Sequence, residues 1–563
     1  MQDEIRKAIE QALGNLGITV VVFDVDHPTD KNTGADYFSN VALAAAKVAG
    51  KAPREVAEQL LPSLVNVIPY IEKIEVAGPG FLNFFLSRDF FTEKIANALD
   101  AGDNWGRNQS QHSEEILIEY TSPNLFKPLH VGNLVGNIIG ESLSRLFEFG
   151  GAKVKRLNYP SDIGLTVAKA VWGLKKTNGD PADINALGEA YRFGNEAYEN
   201  DADAKEEIVT VNQALYADSD SELSNLRDQG IFTSKYRLNT ICASLGTIFD
   251  KEIFESQASV KGTEIVKENI GEVFVESDGA IVYEGEKVGL HTRVFLNSKG
   301  LPTYEAKDLG NFYLKQEAYP NWNRSIIVTG NEQTEYFKVL YSAIQDIFPE
   351  TKEKNLEHVP TGFLTLTTGK MSSRKGNILS GEQVLEELEQ EAKKRAKNPN
   401  EREGEDDVPL ATKIATAAIK YQILKQGPGQ NIVFDKEKAL SFEGDSGPYL
   451  QYTYARICSV LNKAEEAEVS ESLEHAPAVP YEIERLVYQF SEVVAVALAE
   501  RAPHKVTHYL TELAGEFNSF YAVEKIADAS DEYAPYKAAV SNAVRQTLKN
   551  GLWVLGIKAP ERM

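Results

Sequence analysis

Apolar residues recur at spacings of three and four from Leu134 to Phe149, at Val135, Ile138, Ile139, Leu143 and Leu146, and predict a helix with one buried face. Just upstream, Ile116-Leu-Ile-Glu-Tyr120 is an apolar run of strand length. The same pairing returns at Ser325-Ile-Ile-Val-Thr329, followed by a helical pattern over Thr334 to Ile344. Strands alternating with helices from Glu115 onward predict a parallel sheet covered by helices. Residues 180–290 interrupt that alternation with a mostly helical, acidic insert. The first ~110 residues mix both patterns, an α+β reading. Within them, the Gly78/Gly80 pair in Val76 to Leu86 predicts a tight turn entering a strand. A dinucleotide loop would need a third glycine, which does not follow at the right spacing. From Leu410 helical periodicity dominates, so the last part is all-α. The polar stretch Gly102 to Ser113 reads as a linker, and the charged stretch Glu386 to Val408 as a solvated helix end and loop. Three domains are expected, over 1–112, 113–388 and 409–563.

Composition narrows the picture. A chain of 563 residues, 42% apolar and 25% charged, is an ordinary globular protein long enough for several cores. Lys plus Arg is 59 against 83 Asp plus Glu, a formal charge of −24. That excludes a generally basic nucleic-acid coat, since the surface as a whole repels phosphate. A local basic groove is still allowed, because charge is screened within roughly 10 Å in physiological salt. The two cysteines, Cys242 and Cys458, make neither a disulfide framework nor a thiolate zinc cage. No apolar run approaches the ~18 residues of a membrane span. The start, Met-Gln-Asp-Glu-Ile-Arg-Lys, lacks a signal-like apolar core, so a cytoplasmic protein is expected.

The densest chemistry lies in Glu119-Tyr-Thr-Ser-Pro-Asn-Leu-Phe-Lys-Pro-Leu-His-Val-Gly-Asn133, between a strand and a helix. Open α/β sheets bind nucleotides at such places. Gly132 permits close backbone approach, the helix start aims free N–H groups at a phosphate, and Lys127, His130 and Asn133 add donors. Read alone, a Pro-rich turn with a buried histidine competes evenly with this. A second loop, Thr368-Gly-Lys-Met-Ser-Ser-Arg-Lys-Gly-Asn377, sets Lys370, Arg374 and Lys375 between glycines. Such a loop can close over a triphosphate and stabilise charge at a phosphorus centre, and a solvated basic turn is the plainer reading.

Together the two loops resemble the paired signatures of class I aminoacyl-tRNA synthetases, His-x-Gly-His and Lys-Met-Ser-Lys-Ser. The runs Glu119 to Asn133, Asn158-Tyr-Pro-Ser-Asp-Ile-Gly164 and Phe442 to Tyr452 with Ala455-Arg456, the turn Gly78 to Asn83, and the ending Leu555 to Met563 are similar to arginyl-tRNA synthetases. The resemblance implies a Rossmann-like catalytic domain, an α+β N-terminal domain gripping tRNA and an all-α anticodon-binding bundle. It implies ligation of L-arginine to its tRNA with ATP and Mg²⁺ as a substrate complex, through arginyl-adenylate, in a monomer without a tightly bound cofactor or resident metal.

Site roles follow from the same resemblance. ATP would be held by Lys127, His130, Gly132, Asn133, Lys370, Met371, Ser372 and Ser373, with His130, Asn133, Lys370, Arg374 and Lys375 serving the chemistry. Arginine would be held by Glu119, Ser122, Asn124, Tyr304, Asp308 and Gln333. A guanidinium is planar and permanently charged with five donors, so its pocket needs a carboxylate and neutral acceptors. Thr303 is a candidate N-cap of a helix that sets Tyr304 and Asp308 on one face. Tyr449, Tyr452, Tyr454 and Arg456 would offer stacking faces to unpaired tRNA bases. The chain departs from the signatures at Asn133, where a second histidine is usual, and at Ser373-Arg374, where Lys-Ser is usual. Those departures keep open a tRNA-binding paralogue without catalysis. A nucleotidylyltransferase shares the first type of loop and leaves the C-terminal helices unexplained.

Overall fold

The structure, a computed structural model, describes residues 1–19, 21–30, 33–367, 380–396, 398, 400–401 and 408–563. The chain divides into two compact units: Met1–Trp105 with Val460–Phe490 and Glu516–Thr547, and Gly106–Ser459 with Ser491–Gly515 and Leu548–Met563. The C-terminal helices Gly447–Glu466, Glu482–Glu500, Pro503–Val523 and Ala534–Val554 thus contribute to both.

The first unit carries a four-stranded antiparallel sheet in the order Val25–Asp26, Tyr37–Ser39, Phe81–Leu86, Ile71–Ala77. The turn expected at Gly78 and Gly80 joins its last two strands, both glycines at positive φ. Helices Gln2–Asn15, Val41–Ala49, Pro53–Leu64 and Arg88–Ala101 bury their apolar faces with Tyr37, Phe84, Phe90 and Tyr488. Arg88 pairs with the fully buried Glu484, whose carboxylate also accepts from the Tyr536 hydroxyl. Buried charge is tolerated there because it is paired and hydrogen-bonded.

The second unit is built on a five-stranded, all-parallel sheet in the order Asn355–Thr361, Arg324–Gly330, Glu115–Glu119, Lys153–Asn158, Lys251–Glu252. Strands lie to either side of Glu115–Glu119, the sheet's first strand in sequence, so strand order reverses between Glu119 and Gly330. Crevices of this kind, at the carboxyl ends of the strands, are where open α/β sheets bind ligands. The helix after the first strand spans Val131–Phe149, three residues earlier than periodicity suggests, because His130 caps it.

The insert is helical as expected, with helices Ile184–Asn200, Ala202–Ala217, Ser221–Ser244 and Glu255–Glu268. It differs at its end. Lys251–Glu252 joins the parallel sheet, and Val275–Ser277 with Ala280–Tyr283 and Arg293–Leu296 forms a small antiparallel sheet. These strands, two to four residues long, are too short to show a period of their own.

Candidate active site

The central strand ends at Glu119, and the chain then turns through Thr121 and Ser122 at φ of 75° and 39°, left-handed values that are rare for side-chain-bearing residues. Three amides hold this turn. Asn133 Nδ2 donates to the Thr121 carbonyl at 2.8 Å, Asn137 Nδ2 to the Thr121 hydroxyl at 2.9 Å, and the Ser122 N–H to Asn158 Oδ1 at 3.2 Å. Asn133 therefore braces the strained loop, spending one donor there. Strain held by surrounding structure is typical of ligand clamps. The Ser122 hydroxyl is buried without a hydrogen-bond partner.

His130 is exposed, and its Nδ1 accepts from the Gly132 N–H at 3.0 Å. In the neutral ring the proton then sits on Nε2, the nitrogen left to donate outward. Partial burial, with Lys127 adding to it, holds the His130 pKa below its ordinary value, and burial also lowers that of Lys127. Asn124 is exposed, on a segment bridged to Ser161. Gly132 is likewise exposed at the helix start.

Lys370, Met371, Ser372, Ser373, Arg374 and Lys375 lie outside the described residues. The described chain resumes at Ser380, which bridges His130, and the Gly381 N–H donates to the Leu129 carbonyl at 2.8 Å. The Ser380 hydroxyl caps the helix Gly381–Arg395.

The helix Tyr304–Ala318 supplies the acidic side of the crevice. Thr303 occupies its N-cap position without capping it: the hydroxyl donates to the Val294 and Phe295 carbonyls of the adjoining strand. Asp308 accepts from the Tyr336 hydroxyl. Burial, reinforced by Glu119 and Glu255 and opposed by Tyr336 and Lys315, pushes its pKa up to about 7. Glu119 is differently placed: its Oε2 accepts from Lys315 Nζ at 2.5 Å and from Asn311 Nδ2 at 2.9 Å. Among the described residues no basic side chain forms an ion pair with Asp308. Of the two carboxylates, Asp308 is the one without a cationic ion-pair partner among the described residues. Lys307 lies beside it, paired with buried Glu255.

Tyr304, expected on the same face as Asp308, is 73% exposed, while Asp308 is half-buried. Gln333 ends a turn of 3₁₀ helix after Gly330, beside the strand-order reversal. Residue-by-residue reading missed Lys315, Asn311 and Tyr336. The first two were within reach, since three- and seven-residue spacings from Asp308 keep them on one helical stripe. Tyr336 comes from a separate helix, Thr334–Ile347, with no sequence signal linking it to Asp308.

Of the expected base-stacking residues, Tyr452 is 38% exposed with the Arg456 guanidinium 4.8 Å from its ring centre. Tyr449 is half-buried. Tyr454 is a correction: at 2% exposure its ring is core, because it falls on the inward stripe of the Gly447–Glu466 helix. Among the described residues no cluster of three His, Cys, Asp or Glu side chains fits a metal ion.

Residues 94–436 match the family described as tRNA synthetases class I (R), catalytic domain. The chain belongs to the arginyl-tRNA synthetase family. Residues 2–86 match the arginyl tRNA synthetase N terminal domain and 450–563 the DALR anticodon binding domain. An arginine–tRNA ligase of Fusobacterium nucleatum is 31% identical, covering 100% of this chain and 99% of its own. One of Limosilactobacillus reuteri is 30% identical over 100% of both chains. The solved arginyl-tRNA synthetase of Thermus thermophilus superposes with a TM-score of 0.79 at 27% identity over 100% of each chain. As an arginyl-tRNA synthetase, this chain has its Glu119–Asn133 loop, its parallel sheet and the Asp308 helix all inside the catalytic match.

Proposed function

We propose that Asp308 receives the guanidinium of arginine in the crevice where strand order reverses, and that the Glu119–Asn133 loop presents the amino acid to ATP. The protein is a class I arginine–tRNA ligase: it joins L-arginine to its tRNA using ATP, through arginyl-adenylate, releasing AMP and diphosphate. One observation supports the pocket assignment above others. Asp308 is a carboxylate without a basic ion-pair partner among the described residues, in a wall whose other carboxylates, Glu119 and Glu255, are paired.

In this reading Ser122 and Asn124 meet the α-groups of arginine, Tyr304 flanks the side chain at the mouth and Gln333 approaches from across the crevice. Glu119 acts at one remove, its Lys315 and Asn311 bonds fixing the floor. The arginine carboxylate attacks the α-phosphorus in line and diphosphate leaves. Catalysis is positioning plus charge stabilisation. The helix start at Val131, the outward Nε2–H of His130 and Lys127 face the phosphates, and the cations Lys370, Arg374 and Lys375 close from the second loop. Gly132 keeps the backbone open there, and Met371, Ser372 and Ser373 complete the nucleotide contacts. Mg²⁺ enters with ATP. Asn133 is chiefly a brace, which explains how an amide serves where a second histidine is usual. The ribose hydroxyl of tRNA then attacks the adenylate carbonyl. Residues 1–112 and 409–563 bind tRNA, with Tyr449, Tyr452 and Arg456 near its unpaired bases, and the protein works as a cytoplasmic monomer. No helix among the described residues is long and apolar enough to cross a membrane.

ATP–pyrophosphate exchange tests the reading. Exchange is expected with arginine, and only once tRNA is added, as the family resemblance implies. His130→Ala is expected to lower kcat by about 10²–10³, the usual effect of losing one preorganised donor. Exchange at the wild-type rate in His130→Ala would remove His130 from the machinery.

A further inference from the structure

Three polar atoms around the crevice are buried and carry no hydrogen bond: Ser122 Oγ, Asn311 Oδ1 and the hydroxyl of Tyr159. An unmade hydrogen bond on a buried polar group is expensive, so orphans on the residues that edge one crevice point to a ligand. Ser122 falls to the α-groups of arginine. Asn311 already donates to Glu119 with its other end. Tyr159 has no assigned task.

Its position is fixed by the backbone. Tyr159 follows the strand Lys153–Asn158, at the same carboxyl edge of the sheet as Glu119. Flanking residues are tied down on both sides, Asn158 Oδ1 by the Ser122 N–H at 3.2 Å and the Pro160 carbonyl by the Glu255 N–H at 3.2 Å. Glu255 in turn holds Lys307, the residue before Asp308. The backbone on either side of the ring is thus joined to the strained loop and to the helix Glu255–Glu268, whose Glu255 holds the residue next to Asp308. Burial and the neighbouring carboxylates, Asp308 first among them, keep the phenol firmly protonated and neutral.

A neutral oxygen is what the second part of a guanidinium pocket requires. One carboxylate engages two of the five N–H groups, and the rest need acceptors without further charge. We propose that the Tyr159 hydroxyl is a specificity-determining ligand of the substrate guanidinium, accepting from an N–H that Asp308 does not reach. This rests on Asp308 as the guanidinium partner.

The test uses the full chain, with Tyr159→Phe and Asp308→Asn measured in parallel. Tyr159→Phe removes only the orphan oxygen. The melting temperature without arginine is expected to hold or rise, while KM for arginine rises about three- to tenfold, the range of one neutral hydrogen bond. KM for ATP and for tRNA is expected within twofold of wild type. Agmatine, which keeps the guanidinium and lacks the carboxylate, is expected to lose potency as a competitive inhibitor by the same factor. An unchanged KM for arginine, with Asp308→Asn strongly impaired, overturns this proposal alone. A raised KM with unchanged agmatine inhibition overturns it too, by placing the hydroxyl at the α-groups. If Asp308→Asn also binds arginine normally, the pocket itself is misassigned and both readings fall.

Discussion

At the scale of single residues the crevice sorts its carboxylates by partner. Glu119 and Glu255 each hold a lysine, whereas Asp308 has a phenol for company and a pKa near 7. This predicts a pH dependence with a definite sign. Above pH 7 Asp308 is ionised and ready for a guanidinium. Below it, the carboxyl is neutral and must lose a proton before pairing, so KM for arginine should climb by up to about tenfold per pH unit as pH falls. Arginine KM measured from pH 6 to 8.5 checks this, and Asp308→Asn should flatten the profile while raising KM throughout. His130 shows why motif spelling underdetermines chemistry. Its Nδ1 is spent on the helix N-terminus, which leaves Nε2 as the nitrogen that can donate outward. Asn133, expected as a phosphate donor, also donates to the left-handed turn at the Thr121 carbonyl.

At the scale of elements, the Asp308 helix is placed by close packing. Gly262 on the helix Glu255–Glu268 lies so near that an added Cβ would stand 1.7 Å from the Ala306 carbonyl oxygen. Gly310 is equally tight against the Ala258 carbonyl, 2.0 Å from its own would-be Cβ. Gly262→Ala must therefore push the two helices apart. A destabilisation of about 2 kcal/mol or more is expected from overpacking, read by thermal melting. Arginine KM should rise with it, because Asp308 rides on the displaced helix. A melting loss with unchanged KM would show that the pocket does not depend on this crossing. The N-cap candidate Thr303 predicted the helix and the family resemblance its two pocket candidates, and their spacing put Tyr304 and Asp308 on one face as equals. Four residues turn a helix by about 400°, and the remaining 40° is enough to set one ring in solvent and one carboxylate half inside.

At the scale of the whole molecule, charge is the governing quantity. With a formal charge of −24, and 11 basic against 18 acidic side chains from Ser441 onward, any tRNA contact must run along local cationic stripes. KM for tRNA is therefore expected to rise steeply with added salt, each phosphate contact contributing to the slope of a double-logarithmic plot. A salt-independent KM between 50 and 200 mM would contradict it.

What the sequence settled by itself is local in origin: the alternation of strand and helix, the turn at Gly78 and Gly80, and the helix behind His130. Each is encoded by residues within about two turns of one another, through periodicity, backbone restrictions and capping. Tertiary structure decided the rest. It drew Lys251–Glu252 from the insert into the sheet, buried Tyr454, and gave Lys315 to Glu119 while leaving Asp308 to Tyr336. It also stranded the Tyr159 hydroxyl in the crevice. These outcomes depend on which groups from distant segments share a desolvated space, where one lysine or one phenol changes which carboxylate stays available.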